Sequence, residues 1–209
     1  MTDKLHYVRI PKGQGGRAEQ VRLVYVLAGK SYEDVFHTFA EAGQAVSGKN
    51  PFKQFPFVES PDGKRVYQTL AIMHHAAHGT PAWPSAPAAF TEALSVAMGA
   101  YDLYQWFGGF SADDLAAKKK FEERRAPQFF GGLGEIYAAR PFATGSSATF
   151  ADCMVYEAVA WCARRNEVCK GLLEGNPGLL AFMERFRSIP AIAEFLKRQA
   201  AAREKDDSV

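Results

Sequence analysis

The hydrophobic pattern of the chain changes at one point, and this change constrains the fold more than any other feature. Up to residue 80, short alternating apolar runs are mixed with helical spacing, whereas after residue 90 only helical spacing remains. The segment between them, GTPAWPSAPAAF (79–90), holds three prolines. Because proline fixes φ and restricts the residue before it, this segment is a connector. The pattern predicts an α/β domain at 1–80, a linker at 81–89 and an all-helical domain at 90–209.

The predicted elements of the first domain follow the order strand, helix, strand, hairpin, helix. The strands lie at 5–10, 31–39, 55–60 and 64–68, the helices at 17–28 and 69–77, and a loop with one helical turn at 40–50. The hairpin turns through Pro61-Asp62-Gly63. This order predicts a small mixed sheet. In the second domain, helical periodicity covers 90–107, 113–139, 149–166, 177–187 and 190–203.

Composition excludes several functional classes. The formal net charge is only +2, which gives no case for a nucleic-acid partner or an anionic membrane surface. The chain has three cysteines without CxxC spacing, which argues against a disulfide framework or a zinc knuckle and favours buried or half-buried free thiols. No secretory apolar run begins the chain, and no apolar stretch is long enough for a bilayer. We therefore expect a cytoplasmic protein.

Three histidines lie close together at the C-terminal end of the helix predicted at 69–77. His74 and His78 are four residues apart and share a helical face, a spacing that can chelate a metal ion. The motif lacks an internal glutamate and a nearby third ligand, which excludes the chemistry of HExxH metalloproteases. The sequence therefore predicts no functional metal.

The stretch QFPFVESPDGKRVYQTLAIM (54–73) contains more than packing requires. A strand needs its alternating apolar residues, but it does not need Pro56 at its entrance or the polar pair Gln68-Thr69 at its exit. A helix that begins at Thr69 offers free N–H groups and a positive dipole end to a carboxylate. Farther along, Thr149-Phe150-Ala151-Asp152 predicts the capped start of a central apolar helix.

Four spaced segments resemble the soluble glutathione transferases, and the sigma class in particular. They are GRAEQVRLVYVLAGKSYED (16–34), FKQFPFVE (52–59), QTLAIMHHAAH (68–78) and ATFADCMVYEA (148–158). The likeness spans nearly the whole chain in the same order. It implies a thioredoxin-like N-terminal domain followed by an all-helical C-terminal domain, with glutathione as co-substrate and no bound cofactor.

The resemblance also implies a glutathione site. In the family the proline before the third strand is cis, so we expect Pro56 to be cis and the backbone of Phe57 to turn outward and pair with the cysteinyl unit. Gln68 and Thr69 would hold the γ-glutamyl end. The full expected set is Arg17, Lys49, Gln54, Phe55, Pro56, Phe57, Gln68, Thr69 and Asp102, the last reaching the glutamyl amine across a dimer.

Conjugation requires the thiolate of glutathione, and a free thiol with a pKa of about 8.5 is only about 3% ionised at pH 7. Lowering that pKa by about two units needs about 2.7 kcal/mol in favour of the anion. One hydrogen bond to a charged group contributes about 1.5–3 kcal/mol, so a single hydroxyl can supply most of the effect. The resemblance assigns this catalytic role to Tyr7; the alternative is an aromatic residue that packs on the sheet.

The segment between Tyr7 and Arg17 is a few residues longer than in the family. It lies at the mouth of the expected site, where it could reshape the site or supply Lys12 or Gln14 to the ligand. The glycine carboxylate of glutathione is assigned to Lys49, although the tryptophan and lysine that several classes place in that loop are absent in register.

A hydrophobic electrophile site is expected in the second domain. Tyr101, Gln105 and Trp106 belong to an aromatic stripe that suits a flat apolar electrophile or, alternatively, forms core. Phe52 matches the aromatic residue that inserts into a partner subunit, which predicts a homodimer. Three alternatives stay open: a non-catalytic transferase-like interaction module, a glutathione-dependent isomerase of a lipid endoperoxide, and a transferase for a glutathione-containing dithiol.

Overall fold

A computed structural model describes residues 2–10, 16–48, 50–84, 86–111 and 113–206, with side chains described as far as residue 202. The chain divides into two compact units, Met1–Trp83 together with Pro190–Val209, and Pro84–Ile189. The last helix therefore groups with the first unit, whereas the sequence placed it in the helical domain.

The first unit is built on a four-stranded mixed sheet, as predicted. The strand order is β2-β1-β3-β4, with β1 at Asp3–Val8, β2 at Tyr32–His37, β3 at Phe57–Glu59 and β4 at Arg65–Tyr67. Helix α1 connects β1 to its parallel neighbour β2, and β3 is antiparallel to both β1 and β4. Strand β3 therefore lies inside the sheet, with β1 on one side and β4 on the other.

Four helices complete this unit: α1 at Arg17–Leu27, α2 at Phe39–Val46, α3 at Thr69–Ala77 and α10 at Pro190–Asp206. Leu5 and Tyr7 on β1 are buried on one face of the sheet, as expected for alternating strand residues. The prediction of a loop at 40–50 is wrong, because α2 fills most of it. Its start is fixed by a capping box in which Glu41 N–H donates to the Thr38 hydroxyl while the Glu41 carboxylate accepts from Thr38 N–H.

The second unit is helical, as predicted. It contains α4 at Pro87–Gly108, α5 at Leu115–Lys120, a π-helical stretch at Phe121–Arg125, α6 at Ala126–Ala139, α7 at Phe150–Ala163, α8 at Glu167–Glu174 and α9 at Pro177–Arg187. Helix α8 was missed, because it lies between the helices predicted at 149–166 and 177–187. The Asn166 side chain starts this helix by accepting a hydrogen bond from Cys169 N–H.

Helix α7 is buried along almost its whole length, and its first turn is held by Asp152. The Asp152 carboxylate is fully buried and accepts hydrogen bonds from the Thr149 backbone at 2.7 Å, the Ala143 backbone at 2.8 Å and the Tyr137 hydroxyl at 3.0 Å. The predicted capped start is therefore confirmed, with Asp152 as the main acceptor.

All three cysteines are buried free thiols, as predicted. None of the helices in the described residues is long and apolar enough to span a bilayer.

Candidate active site

Tyr7 lies near the end of β1, and its side chain is almost fully buried. Its hydroxyl accepts a hydrogen bond from the backbone N–H of Arg17, the first residue of α1, at 3.0 Å. Burial raises the pKa of Tyr7 above 10, and the Arg17 N–H opposes that rise only in part. The hydroxyl is therefore protonated at neutral pH. With one lone pair engaged by Arg17, its own proton is available to a second group.

Gly16 makes this contact possible. Its φ is +90°, and a β-carbon at this position would lie 2.5 Å from the Tyr7 hydroxyl oxygen and 2.8 Å from Ile10 Cδ1. A larger residue would therefore displace the hydroxyl from the helix start. Gly16 was not predicted from the sequence, although the glycine pair just before Arg17 was a visible signal.

A partly buried ion-pair cluster links α1 to β2. The Arg22 guanidinium donates to both Asp34 carboxylate oxygens, with Nε at 3.0 and 3.1 Å, and to Glu19 at 3.0 Å. These carboxylates hold the pKa of Arg22 above its usual range, so it is a permanent cation. Its charge and that of Arg17 act to lower the pKa of Tyr7, whereas Glu19 acts in the opposite sense. The cluster ties α1 to β2, and its charges have only smaller, opposing effects on the pKa of the hydroxyl.

The Phe55–Pro56 peptide bond is cis, as predicted. The expectation that Phe57 presents its backbone outward is wrong, because Phe57 pairs with His6 on β1 and with Tyr67 on β4. Its N–H and C=O therefore face neighbouring strands. Phe55 precedes the strand and is half-buried, and its backbone N–H and C=O make no hydrogen bond to the residues that the structure describes. The outward-facing backbone is that of Phe55.

Three of the predicted site residues meet at the start of α3. Gln68 has φ +69°, a left-handed value that costs a non-glycine residue about 1–3 kcal/mol. Its side-chain amide lies 3.3 Å from that of Gln54, and the next residue, Thr69, is buried as the first residue of the helix. The N–H groups of the first helical turn lack intrahelical partners, and no acidic residue occupies that turn. This end can receive a carboxylate.

The segment before Pro56 is held by Asn50, which the sequence analysis missed. The Asn50 side chain is buried, donates to the Gln54 carbonyl at 2.7 Å and accepts from Phe52 N–H at 2.8 Å. It therefore positions the backbone that carries Gln54. Phe52 itself is exposed, with its ring edge-on to Tyr67. The predicted contributors Lys49, Lys12 and Gln14 lie outside the described residues.

A stack of four rings supports Phe55. The His6 ring stacks on Phe57 at 4.3 Å, and the His37 ring lies 5.4 Å from that of Phe55. His6 Nδ1 and His37 Nε2 are 3.0 Å apart, so one nitrogen donates and the other accepts. The stack fixes the side chain of Phe55 and hence the direction of its backbone. Sequence reasoning did not find this pair, because 31 positions separate the two histidines along the chain.

In the second unit, two of the three predicted electrophile-site residues share a pocket of about 260 Å³. Gln105 and Trp106 line it together with Asp102, Gly109, Phe110 and Ala117. Tyr101 is half-buried and is not among the described residues that line it. The Trp106 ring also contacts two cations, Lys120 Nζ at 5.4 Å and the Arg125 guanidinium carbon at 4.5 Å from its centroid.

Two protein-family models match the sequence of the chain. A family model described as the N-terminal domain of glutathione S-transferase matches residues 5–78, and one described as its C-terminal domain matches residues 101–199. Glutathione S-transferase 3 of Gallus gallus is 28% identical over 192 residues, covering 87% of this chain and 81% of that protein. Hematopoietic prostaglandin D synthase of Homo sapiens is 25% identical over 189 residues, covering 88% of this chain and 92% of that protein.

Solved structures agree with these matches. A monomeric glutathione S-transferase of the hookworm Necator americanus is 27% identical and superposes with a TM-score of 0.79. The superposition covers 95% of this chain and 97% of that chain. The likeness therefore extends through both units rather than through the α/β unit alone.

Proposed function

The chain belongs to the glutathione S-transferase family, and we propose that it is a glutathione transferase in which Tyr7 activates the thiol of the tripeptide. The observation that supports this proposal most directly is the state of the Tyr7 hydroxyl. It is buried and protonated, and its oxygen accepts a hydrogen bond from the Arg17 N–H at 3.0 Å. A neutral hydroxyl held in this way can donate to a sulfur anion without first losing its own proton.

The same unit offers groups for each end of glutathione. The γ-glutamyl carboxylate fits the first turn of α3, where Gln68 and Thr69 lie beside unpartnered helix N–H groups. We propose that the cysteinyl unit pairs in a strand-like way with the backbone N–H and C=O of Phe55, which have no partner among the described residues, and that its sulfur points to the Tyr7 hydroxyl. Gln54 and Arg17 are proposed to contact the tripeptide from either side.

Two further contacts are proposed from the family resemblance. Lys49 would bind the glycine carboxylate. Asp102, which is exposed on α4, would serve the glutamyl amine of a second subunit. We also propose that the protein is a cytoplasmic homodimer in which the exposed Phe52 ring inserts into the partner subunit.

The chemistry follows from the hydrogen bond. The Tyr7 hydroxyl donates to the thiolate, the thiol proton leaves to solvent, and the sulfur attacks an electrophilic carbon whose leaving group departs with the bonding electrons. A donor of this kind contributes about 1.5–3 kcal/mol, which corresponds to a fall of one to two units in the thiol pKa. The second substrate is proposed to be a flat apolar electrophile bound near Gln105, Trp106 and Tyr101.

One observation favours a second candidate activity. Hematopoietic prostaglandin D synthases of Homo sapiens and Gallus gallus are 25% and 27% identical to this chain over most of its length. An isomerase that uses glutathione on a lipid endoperoxide would need the same thiolate. It would regenerate glutathione after each turnover, whereas a transferase consumes one glutathione for each product formed.

Steady-state conjugation of glutathione to chlorodinitrobenzene, combined with calorimetric binding of glutathione, tests the proposal. Tyr7→Phe should lower kcat/KM by about 10- to 100-fold while glutathione still binds, since about 1.4 kcal/mol is lost for each factor of ten. The matched control is Tyr32→Phe, which removes a half-buried hydroxyl elsewhere in the same unit. If the wild-type protein does not bind glutathione, the non-catalytic alternative replaces the transferase. If it binds glutathione but consumes none while converting an endoperoxide, the isomerase does.

A further inference from the structure

His74 on α3 and His78, the residue that follows the C-terminal end of α3, take no part in the proposed glutathione site. His74 and His78 are both exposed and lie one turn apart, with ring centroids separated by 6.0 Å and ring planes inclined by 26°. Two imidazoles at this spacing on one helical face can direct a nitrogen each toward a common point, as required for a bidentate metal site.

Trp83 packs against both rings. Its centroid lies 4.3 Å from that of His74, nearly perpendicular at 87°, and 5.3 Å from that of His78, at 63°. Each imidazole therefore has an aromatic neighbour that restricts its rotamers before any ion arrives. Less side-chain entropy is lost on binding than for two free surface histidines.

His75, which lies between His74 and His78 in the sequence, contacts Asp3. His75 Nε2 lies 2.9 Å from the Asp3 carboxylate, which also accepts from the Tyr25 hydroxyl at 2.7 Å. The described residues contain no group of three or more His, Cys, Asp or Glu side chains suited to a metal. A cation at the His74–His78 pair would therefore have two protein ligands, with water in its remaining positions.

The electrostatics of this end of α3 are mixed. The C-terminal end of a helix carries partial negative charge on its unpartnered carbonyls, which favours a cation by about 0.3–1 kcal/mol. Against this, Lys30 Nζ donates to the His78 carbonyl at 2.9 Å and brings one positive charge close. A site with this balance needs a metal that forms strong bonds to imidazole, because a hard ion held by charge alone would not be retained.

We propose that His74 and His78 form a surface site for a divalent transition-metal ion, with Cu²⁺ bound more tightly than Ni²⁺ or Zn²⁺. Neutral imidazole suits all three ions, and for a given nitrogen site the affinity order places Cu²⁺ first. Mg²⁺ and Ca²⁺ prefer oxygen ligands and should not bind there. The site is independent of the proposed transferase activity.

The test is a titration of the untagged protein with Cu²⁺ in a non-coordinating buffer, followed by calorimetry and by tryptophan fluorescence. A bound Cu²⁺ ion beside Trp83 should quench its emission. Trp83→Phe keeps an aromatic ring at the position, so it should retain calorimetric binding while losing most of the quenching. Paramagnetic resonance of the bound Cu²⁺ should show coupling to two nitrogens.

Single substitutions separate this site from the other histidines of the chain. His74→Ala and His78→Ala should each weaken Cu²⁺ binding by about tenfold or more, equivalent to about 1.4 kcal/mol. His75→Ala and His37→Ala are the controls, because His75 is paired with Asp3 and the His6–His37 pair is a second place where two imidazole nitrogens approach. Undiminished binding in His74→Ala, or equal loss in His37→Ala, would overturn the proposal.

Discussion

Replacing Gly16 by alanine places a methyl group where the structure has no room for one. The added carbon would lie 2.5 Å from the Tyr7 hydroxyl oxygen and 2.8 Å from Ile10 Cδ1, whereas real β-carbons essentially never approach closer than 3.0 Å. The hydroxyl must therefore move by at least about 0.5 Å. Such a movement breaks or lengthens its 3.0 Å contact with the Arg17 N–H and turns its proton away from the proposed sulfur position.

The magnitude has two parts. At φ +90° and ψ −168°, Gly16 lies in a region that is nearly restricted to glycine, which costs an alanine about 1–3 kcal/mol, and the disturbed hydrogen bond costs about 0.5–1.5 kcal/mol more. Stability should therefore fall by about 1.5–4.5 kcal/mol, which for a chain of this size lowers Tm by roughly 3–18 °C. Catalysis should lose most of the contribution of the hydroxyl, so kcat/KM should fall by about 10- to 100-fold.

Gly29→Ala is the matched control. Gly29 ends the turn after α1 with φ +65°, but a β-carbon there meets nothing within 4 Å. It should therefore show the backbone cost of about 1–2 kcal/mol with unchanged kcat/KM. The assays are thermal unfolding and chlorodinitrobenzene conjugation on both variants. Equal stability loss with full activity in both would refute the argument that Gly16 places the Tyr7 hydroxyl.

Three further predictions concern other parts of the molecule. Asn50→Ala removes two hydrogen bonds that hold the segment before Pro56. The Kd for glutathione, measured by calorimetry, should therefore rise by about tenfold while kcat stays nearly unchanged. An unchanged Kd would contradict this role. Asp152→Ala leaves several buried donors without their acceptor. The free energy of unfolding in urea should therefore fall by about 3 kcal/mol or more, whereas a loss below about 1 kcal/mol would refute the role given to this carboxylate. Burial and Asp3 raise the pKa of Tyr25 well above 10. Above about pH 10 the unfolded state therefore loses the tyrosine proton while the folded state keeps it. The contribution of Tyr25 to the free energy of unfolding is present below about pH 10 and is lost as the pH rises further. Urea unfolding at about pH 9 and about pH 11 should show a smaller decline in Tyr25→Phe than in the wild type, and an equal decline would contradict the assignment.

Much of the fold could be predicted because its signals are local. The end of β-type periodicity, the prolines at 79–90 and the Pro61-Asp62-Gly63 turn each act over a few residues, and the helix at Thr69–Ala77 has the predicted bounds. Helix α2 was predicted as a loop with one helical turn, although the pair Thr38 and Glu41 carried the capping signal. The grouping of α10 with the first unit depends on contacts with α1, which no local pattern encodes.

The candidate site was predictable only where a residue type has one evident use. Pro56 before a strand and the polar pair Gln68-Thr69 before a helix indicated where the site lies in the sequence. The structure then brings Gln54 close to Gln68. The outward backbone was assigned to Phe57 instead of Phe55, because the sequence does not reveal that β3 has a neighbouring strand on each side. Gly16 and Asn50 matter through contacts in space, and so neither residue type nor spacing identified them.

The central claim is that the Tyr7 hydroxyl stabilises the glutathione thiolate, and the most direct test is the thiolate absorbance of bound glutathione as a function of pH. The wild-type protein should show a thiol pKa of about 6–7, below the free value of about 8.5, and Tyr7→Phe should return the bound thiol close to the free value. Glutathione that binds with the same thiol pKa in both proteins would contradict the claim and leave Tyr7 as a packing residue.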